Sequence, residues 1–305
     1  MKAFAEHFQG GNGVIKRIMF YLNRNKEHVL VTVQNCAALC HQRGIVPLYF
    51  REDAAFLEQH MQLDPSCIFD TPEQADADML FVFGGDGTML RALDCFVTND
   101  IPVLGVNLGR LGFLLETEKE DLAQALDMIC QGNYQIERRM MLHVQMMHNG
   151  KRISAYATNE VSISRGLSQR MIALDAYVGN THVDHYIADG IVLASPTGST
   201  GYSLSAGGPI VAPDVPCFVL NPICPHSLQS RPIVLSCQEV VTLSVSMREM
   251  REGIQISIDG QAICQMQNHE QIQVTRSSHD ALLVRFPKER NYFSLLKDKL
   301  SQWSL

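Results

Sequence analysis

Long apolar runs are missing from this sequence. Nowhere in its 305 residues is there the stretch of roughly 18 apolar residues that a membrane-spanning helix needs. Met1 to Gly13 is polar and glycine-rich and lacks the apolar core of a secretory signal, which predicts a cytoplasmic protein with no membrane partner. Positive charge is scarce too. Lysine and arginine number 25 against 32 acidic residues, a formal net charge of −7, which argues against the basic footprint of a nucleic-acid-binding protein. The nine cysteines are scattered and odd in number, and read as reduced thiols. Cys36 and Cys40 lie one helical turn apart with no second pair to complete a metal site, so they fit two core positions on one helix face. There is no Walker A lysine motif and no G-x-G-x-x-G turn, because Gly105, Gly109 and Gly112 are spaced differently. A P-loop kinase and a dinucleotide dehydrogenase are therefore unsupported. Internal repeats, low-complexity tracts and long linkers are absent as well.

What is present is ordinary globular material, with 46% hydrophobic residues to build a core. In the first third, strand-like runs at Arg17 to Leu22, Val46 to Phe50, Met79 to Phe83 and Val103 to Val106 alternate with helical periodicity from Glu27 to His41. Thr117-Glu118-Lys119-Glu120 reads as a capping box opening a helix through Ile129, with Gly132 as its stop. This alternation predicts an α/β domain with a parallel sheet over residues 1–138, to which the helical segment 289–305 returns. Residues 139–288 predict a β-rich domain, with one helix starting near Ser199 and running to Ala206.

Four segments carry chemistry. Gly84-Gly85-Asp86-Gly87-Thr88 follows a buried strand and opens a helix. Glycines admit a ligand close to the backbone, amides at a helix start bind phosphate, and one carboxylate among them can take a proton or hold Mg²⁺. A tight turn with Asp86 as helix N-cap is the plainer alternative. Asn107 to Leu114 lies in a loop after the next strand, where ligands gather in open parallel sheets, or is a structural turn with a surface arginine. Asn159-Glu160 offers donor and acceptor groups for an adenine edge or ribose hydroxyls, or simply a turn. Ala188 to Pro209 is a glycine- and hydroxyl-rich loop whose Ser199 or Thr200 can cap the following helix. Asp259-Gly260 fits a two-residue hairpin turn. His182, Asp184 and His185 cannot all face one way on an alternating strand, which argues against a metal site there.

Together the segments resemble the NAD kinase family over most of the chain. The resemblance is carried by GGDGT at 84–88, NLGRLGFL at 107–114, ERRMML at 137–142, TNE at 158–160, DG at 189–190 and SPTGSTGYSLSAGGP at 195–209. NPICPHSL at 221–228, RPIVL at 231–235 and SIDGQ at 257–261 complete it. GGDGT alone is shared with lipid kinases; the STGY loop and the Asn-Glu pair narrow the likeness, nearest to the Gram-negative bacterial branch. The resemblance implies an NAD-kinase-like fold that transfers the terminal phosphate of ATP to the adenosine ribose of NAD, bound in a cleft between two domains. It also implies Mg²⁺ or another divalent metal carried with ATP rather than at a fixed protein site, and a homodimer or homotetramer. By this resemblance Asp86 is the proton acceptor for the ribose 2′-hydroxyl and Gly87 its backbone partner, while Gly84, Gly85, Gly87 and Thr88 hold phosphate. Asn159 and Glu160 bind NAD, as do Asp189 and the helix start at Thr200, Gly201, Tyr202, Ser203, Leu204 and Ser205; Arg170, Ile187 and Gln261 line the same site. Gly201 stands where alanine is usual. Ile187 stands where some relatives carry arginine, and either faces the nicotinamide end or fills the β-domain core. A lipid kinase of the diacylglycerol type and a non-catalytic NAD sensor are the rival readings.

Overall fold

The computed structural model describes residues 8–10, 14–109, 112–245, 253–267, 270–287 and 292–302. The chain divides into two compact units, Met1–Arg138 with Ala281–Leu305 and Arg139–Asp280.

The first unit contains β1 (Phe8–Gly10), β2 (Arg17–Leu22), α1 (Val29–Gln42), β3 (Val46–Phe50), α2 (Arg51–Leu57), β4 (Ile68–Phe69), β5 (Met79–Gly84), α3 (Asp86–Cys95), β6 (Val103–Asn107), β7 (Thr117–Glu118) and α4 (Leu122–Cys130). Its parallel sheet runs β4-β3-β2-β5-β6. Every residue of β5 is buried, as a central parallel strand covered on both faces demands. On α1, Val29, Val33, Cys36, Ala37 and Cys40 form the buried stripe that seats the helix on the sheet. Phe20 anchors the core, with ring centroids 5.1 Å from Phe83 and 5.6 Å from Tyr49. The predicted capping box does not form. Thr117 and Glu118 pair with β6 as a short strand, a 3₁₀ turn follows at Lys119–Asp121, and α4 starts only at Leu122. Sheet pairing outcompetes the local cap at Thr117.

The second unit is antiparallel. Its elements are β8 (Gln135–His148, entering from the first unit), β9 (Lys151–Ala157), β10 (Glu160–Ser164), β11 (Ile172–Val178), β12 (Thr181–Ala188), β13 (Gly190–Ala194), α5 (Tyr202–Ser205), β14 (Cys217–Ile223), β15 (Ile233–Ser236), β16 (Val241–Val245), β17 (Gln255–Ile258), β18 (Gln261–Gln265) and β19 (Gln271–Arg285). One sheet runs β15-β14-β13-β10-β17-β18; a second orders β12-β11-β16-β19. Side chains from these strands, among them Val161, Ile163, Leu174, Tyr186, Leu193, Phe218 and Ile272, make its core. The chain closes with α6 (Tyr292–Gln302), grouped with the first unit. No helix of the described residues is long and apolar enough to cross a membrane.

One expectation fails here for local reasons. The segment from Ser199 does not form one capped helix: a 3₁₀ turn at Thr197–Thr200 breaks at Gly201, and α5 is a single turn with no side-chain cap. The Ser199 hydroxyl donates to the Pro196 carbonyl and the Thr200 hydroxyl to the Thr197 carbonyl, so neither serves as the cap. On β12, a bulge opposite Ala176 and Tyr177 breaks the alternation. His182 and His185 both reach the same Asp175 oxygen, at 3.2 and 2.8 Å.

Candidate active site

The first unit builds a carboxylate site where β5 turns into α3. Gly85 is the N-cap of α3 and Asp86 its first residue, so Asp86 does not cap its own helix. Its carboxylate accepts the Phe113 amide at 2.8 Å and the Leu114 amide at 3.2 Å. The same contact fixes the residue type at 112: a side-chain carbon there would lie 1.9 Å from an Asp86 oxygen. Arg110 and Leu111 of this loop lie outside the described residues. The loop is shaped by the buried Asn107, whose amide donates to the Gly109 carbonyl at 2.9 Å and to Glu118 at 2.8 Å.

Around Asp86 the predicted phosphate residues divide. Thr88 is buried and its hydroxyl accepts from Asn23 at 3.2 Å, so it braces the turn from within. Gly85 and Gly87 are different. A side-chain carbon at either would meet no atom within 4 Å among the described residues. Among the described residues no packing there requires glycine; the Gly85 amide donates to the Thr88 hydroxyl at 3.5 Å, and the open space lies beside the start of α3.

The second unit builds a recognition site on β10. Asp259 and Gly260, with φ of 47° and 76°, form the two-residue turn between β17 and β18. The Asp259 carboxylate does more than turn the chain: it accepts the amides of Thr158 at 2.8 Å, Asn159 at 2.8 Å and Glu160 at 3.0 Å. Ser195 locks the same turn, its amide donating to the Asn159 carbonyl and its hydroxyl to that of Thr158. Asn159 and Glu160 are thus held by two other segments of the unit. Asp259→Asn keeps the turn but removes the charge and one acceptor. Urea unfolding is expected to show a loss of about 1–3 kcal/mol, and unchanged stability would remove Asp259 from this role.

Glu160 is 6% exposed, and its Oε2 meets no hydrogen-bond partner among the described residues. Burial first, and then the charge of Asp259, push its carboxyl up to about 7, against the pull of the Tyr202 amide. Gly201 leaves this oxygen its space, since a side-chain carbon there would stand 3.1 Å away.

The remaining predicted residues sit in varied surroundings. Asp189 is ion-paired with Arg165 at 2.8 Å, a partner the motifs did not reveal. Ser203 is buried beside Asn221, while Leu204 is half-buried and Tyr202, Ser205, Arg170 and Gln261 are exposed. Ile187 is 48% exposed, so it does not fill the β-domain core.

The ATP-NAD kinase N-terminal domain matches residues 18–134, and the ATP-NAD kinase C-terminal domain matches residues 158–286. An NAD kinase of Geobacter sulfurreducens is 37% identical over 287 residues, covering 94% of this chain and 98% of the relative. The chain belongs to the NAD kinase family. An NAD kinase of a Thermoanaerobacter species is 41% identical over 227 residues, 74% of this chain and 79% of the relative. Among solved structures, a yeast NADH kinase complexed with NADH superimposes with a TM-score of 0.85 at 24% identity, covering 95% of this chain and 89% of the other. An NAD kinase from Archaeoglobus fulgidus in complex with ATP gives a TM-score of 0.71, also at 24% identity, over 93% and 99%. These two likenesses establish the NAD kinase fold, and family membership makes the chain an enzyme, a phosphotransferase.

Proposed function

We propose that the chain transfers the terminal phosphate of ATP to the 2′-hydroxyl of the adenosine ribose of NAD, releasing ADP and forming NADP. The observation that carries the assignment of roles is the Asp86 carboxylate, held by two amides from another loop and flanked by two glycines with open space beside them. Asp86 accepts the proton of the 2′-hydroxyl as its oxygen bonds to the γ-phosphorus and the bond to the β–γ bridging oxygen breaks. Phosphoryl transfer leaves a protein little covalent work, so positioning and charge neutralisation dominate. The amides around Gly85 and Gly87 hold donor phosphate, and Asn159 and the free oxygen of Glu160 take up hydroxyl or amine hydrogens of the adenosine.

Among the described residues, no group of three or more His, Cys, Asp or Glu is placed to hold a metal ion. The divalent cation, Mg²⁺ or another, is carried on the nucleotide's own phosphates, where it neutralises their charge. We place the reaction in the cytoplasm, in keeping with nine free thiols. The assembly is a homodimer or homotetramer, with Leu167 and Leu228, 102% and 91% exposed, as candidates for burial.

The exposed Ile187 bears on redox selectivity. If it faces the nicotinamide end, it offers apolar contact and no hydrogen bond, and an apolar wall discriminates by only about 1–3 kcal/mol. NADH is then a poorer but usable substrate, within roughly 100-fold of NAD in kcat/KM. Steady-state kinetics on both dinucleotides, in the wild type and in Ile187→Arg, test this. A far larger preference for NAD, or a ratio that Ile187→Arg leaves unchanged, contradicts it.

Initial rates with ATP and Mg²⁺, using NAD in one arm and diacylglycerol in the other, test the assignment as a whole. NADP formation detected by an NADP-specific dehydrogenase supports it. Phosphorylation of the lipid alone, or no turnover on NAD, overturns it.

A further inference from the structure

We infer that Arg285 is a positioning residue that aims the Asp86 carboxylate, an inference that rests on the reading of Asp86 as proton acceptor. Arg285 closes β19, whose Leu283 pairs with Val103 of β6 in the sheet of the first unit. Its guanidinium donates to the Phe113 carbonyl at 3.4 Å and the Leu114 carbonyl at 3.2 Å. The amides of those same two residues hold Asp86. The peptide unit joining Phe113 to Leu114 is therefore gripped at both ends, its carbonyl on Arg285 and its N–H on Asp86.

The grip is itself anchored. Arg285 Nε donates to Glu137 at 2.7 Å and Nη1 to Glu116 at 3.2 Å, while Glu116 also accepts the Phe286 amide at 3.0 Å. All three charged side chains are mostly buried, at 16% exposure for Arg285, 11% for Glu116 and 17% for Glu137. A guanidinium presents several donors in one rigid plane and can serve two carboxylates and two carbonyls at once; a lysine ammonium can reproduce the charge but not the fork. The loop from Asn107 to Leu114 is thereby tied to the sheet at the point where it touches Asp86.

Small misplacements of a reacting group are costly, on the order of 10²-fold for about 1 Å. In Arg285→Ala and Arg285→Lys, kcat is therefore expected to fall roughly 10- to 100-fold, with KM for NAD and for ATP each staying within about 3-fold, because Arg285 binds neither substrate. The decisive arm repeats Arg285→Lys in the Asp86→Asn background. If Arg285 acts through Asp86, the double variant is no slower than Asp86→Asn alone. Thermal melting checks folding, and Arg285→Lys carries the test should Arg285→Ala not fold. Wild-type kcat in Arg285→Lys overturns the inference, and so does an equal fall of kcat in both backgrounds or a KM for ATP that rises in step. If Asp86→Asn itself keeps its activity, the base assignment fails and the inference with it. If Asp86→Asn is inactive and Arg285→Lys is not impaired, only the inference fails.

Discussion

Asp86→Asn lowers kcat on the order of 10²–10⁴-fold, the range over which a positioned acid or base contributes, while NAD affinity stays near that of the wild type. The substitution is nearly isosteric, so the helix start and the open space beside Gly85 and Gly87 survive. What it removes is the group that takes the 2′-hydroxyl proton. It also turns an amide NH₂ toward either the Phe113 or the Leu114 N–H, each of which now donates to a carboxylate oxygen. One of those bonds is lost, and a modest fall in melting temperature accompanies the loss of rate. Stopped assays under saturating ATP and NAD measure kcat. A variant that keeps more than about a tenth of wild-type kcat shows that Asp86 is not the base.

Glu160→Ala weakens NAD binding roughly 10- to 150-fold, as expected for losing a charge-assisted hydrogen bond of about 1.5–3 kcal/mol, with a smaller effect on kcat at saturation. The Glu160 Oε2 atom is buried and has no hydrogen-bond partner among the described residues. Such an oxygen is costly unless a ligand donor completes it. Because burial raises the carboxyl to about 7, wild-type affinity for NAD improves as pH rises through that value and the ionised acceptor forms. The alanine variant loses this dependence. Stability runs the other way: a carboxyl raised above its unfolded value favours the fold at low pH, and that contribution is lost as pH rises toward 7 and beyond. Glu160→Ala should therefore gain on the wild type in melting temperature at pH 8 compared with pH 5. Calorimetry showing equal NAD affinity in the folded variant removes Glu160 from the site.

The strands and helices nearest the site were legible because their burial pattern is local. The unbroken apolar run of β5 and the helical stripe of α1 each point to one structure. The strand β15 was not legible. It lies at a sheet edge, and its four residues, alternately half-buried and exposed, are too few to mark a buried face. The glycines and carboxylate of the GGDGT turn stood out in the sequence, yet the partners that aim Asp86 lie 27 and 28 residues away and belong to backbone amides, which carry no side-chain signature. Asp259 was visible only as a turn residue. Its carboxylate reaches amides 99 to 101 positions earlier, a contact that exists only once β17 lies against β10. The caps assigned to Thr117, Ser199 and Thr200 failed for the converse reason: a locally favourable motif gave way to strand pairing or to carbonyls closer at hand.

The most direct test of the central claim is the position of the transferred phosphate. Phosphorus NMR of the product formed from ATP, Mg²⁺ and NAD by the wild-type protein should show a phosphomonoester on the 2′-oxygen of the adenosine ribose, and the Asp86→Asn variant should form it only at the reduced rate. A phosphate on another oxygen, or inorganic phosphate with NAD unchanged, would contradict the account.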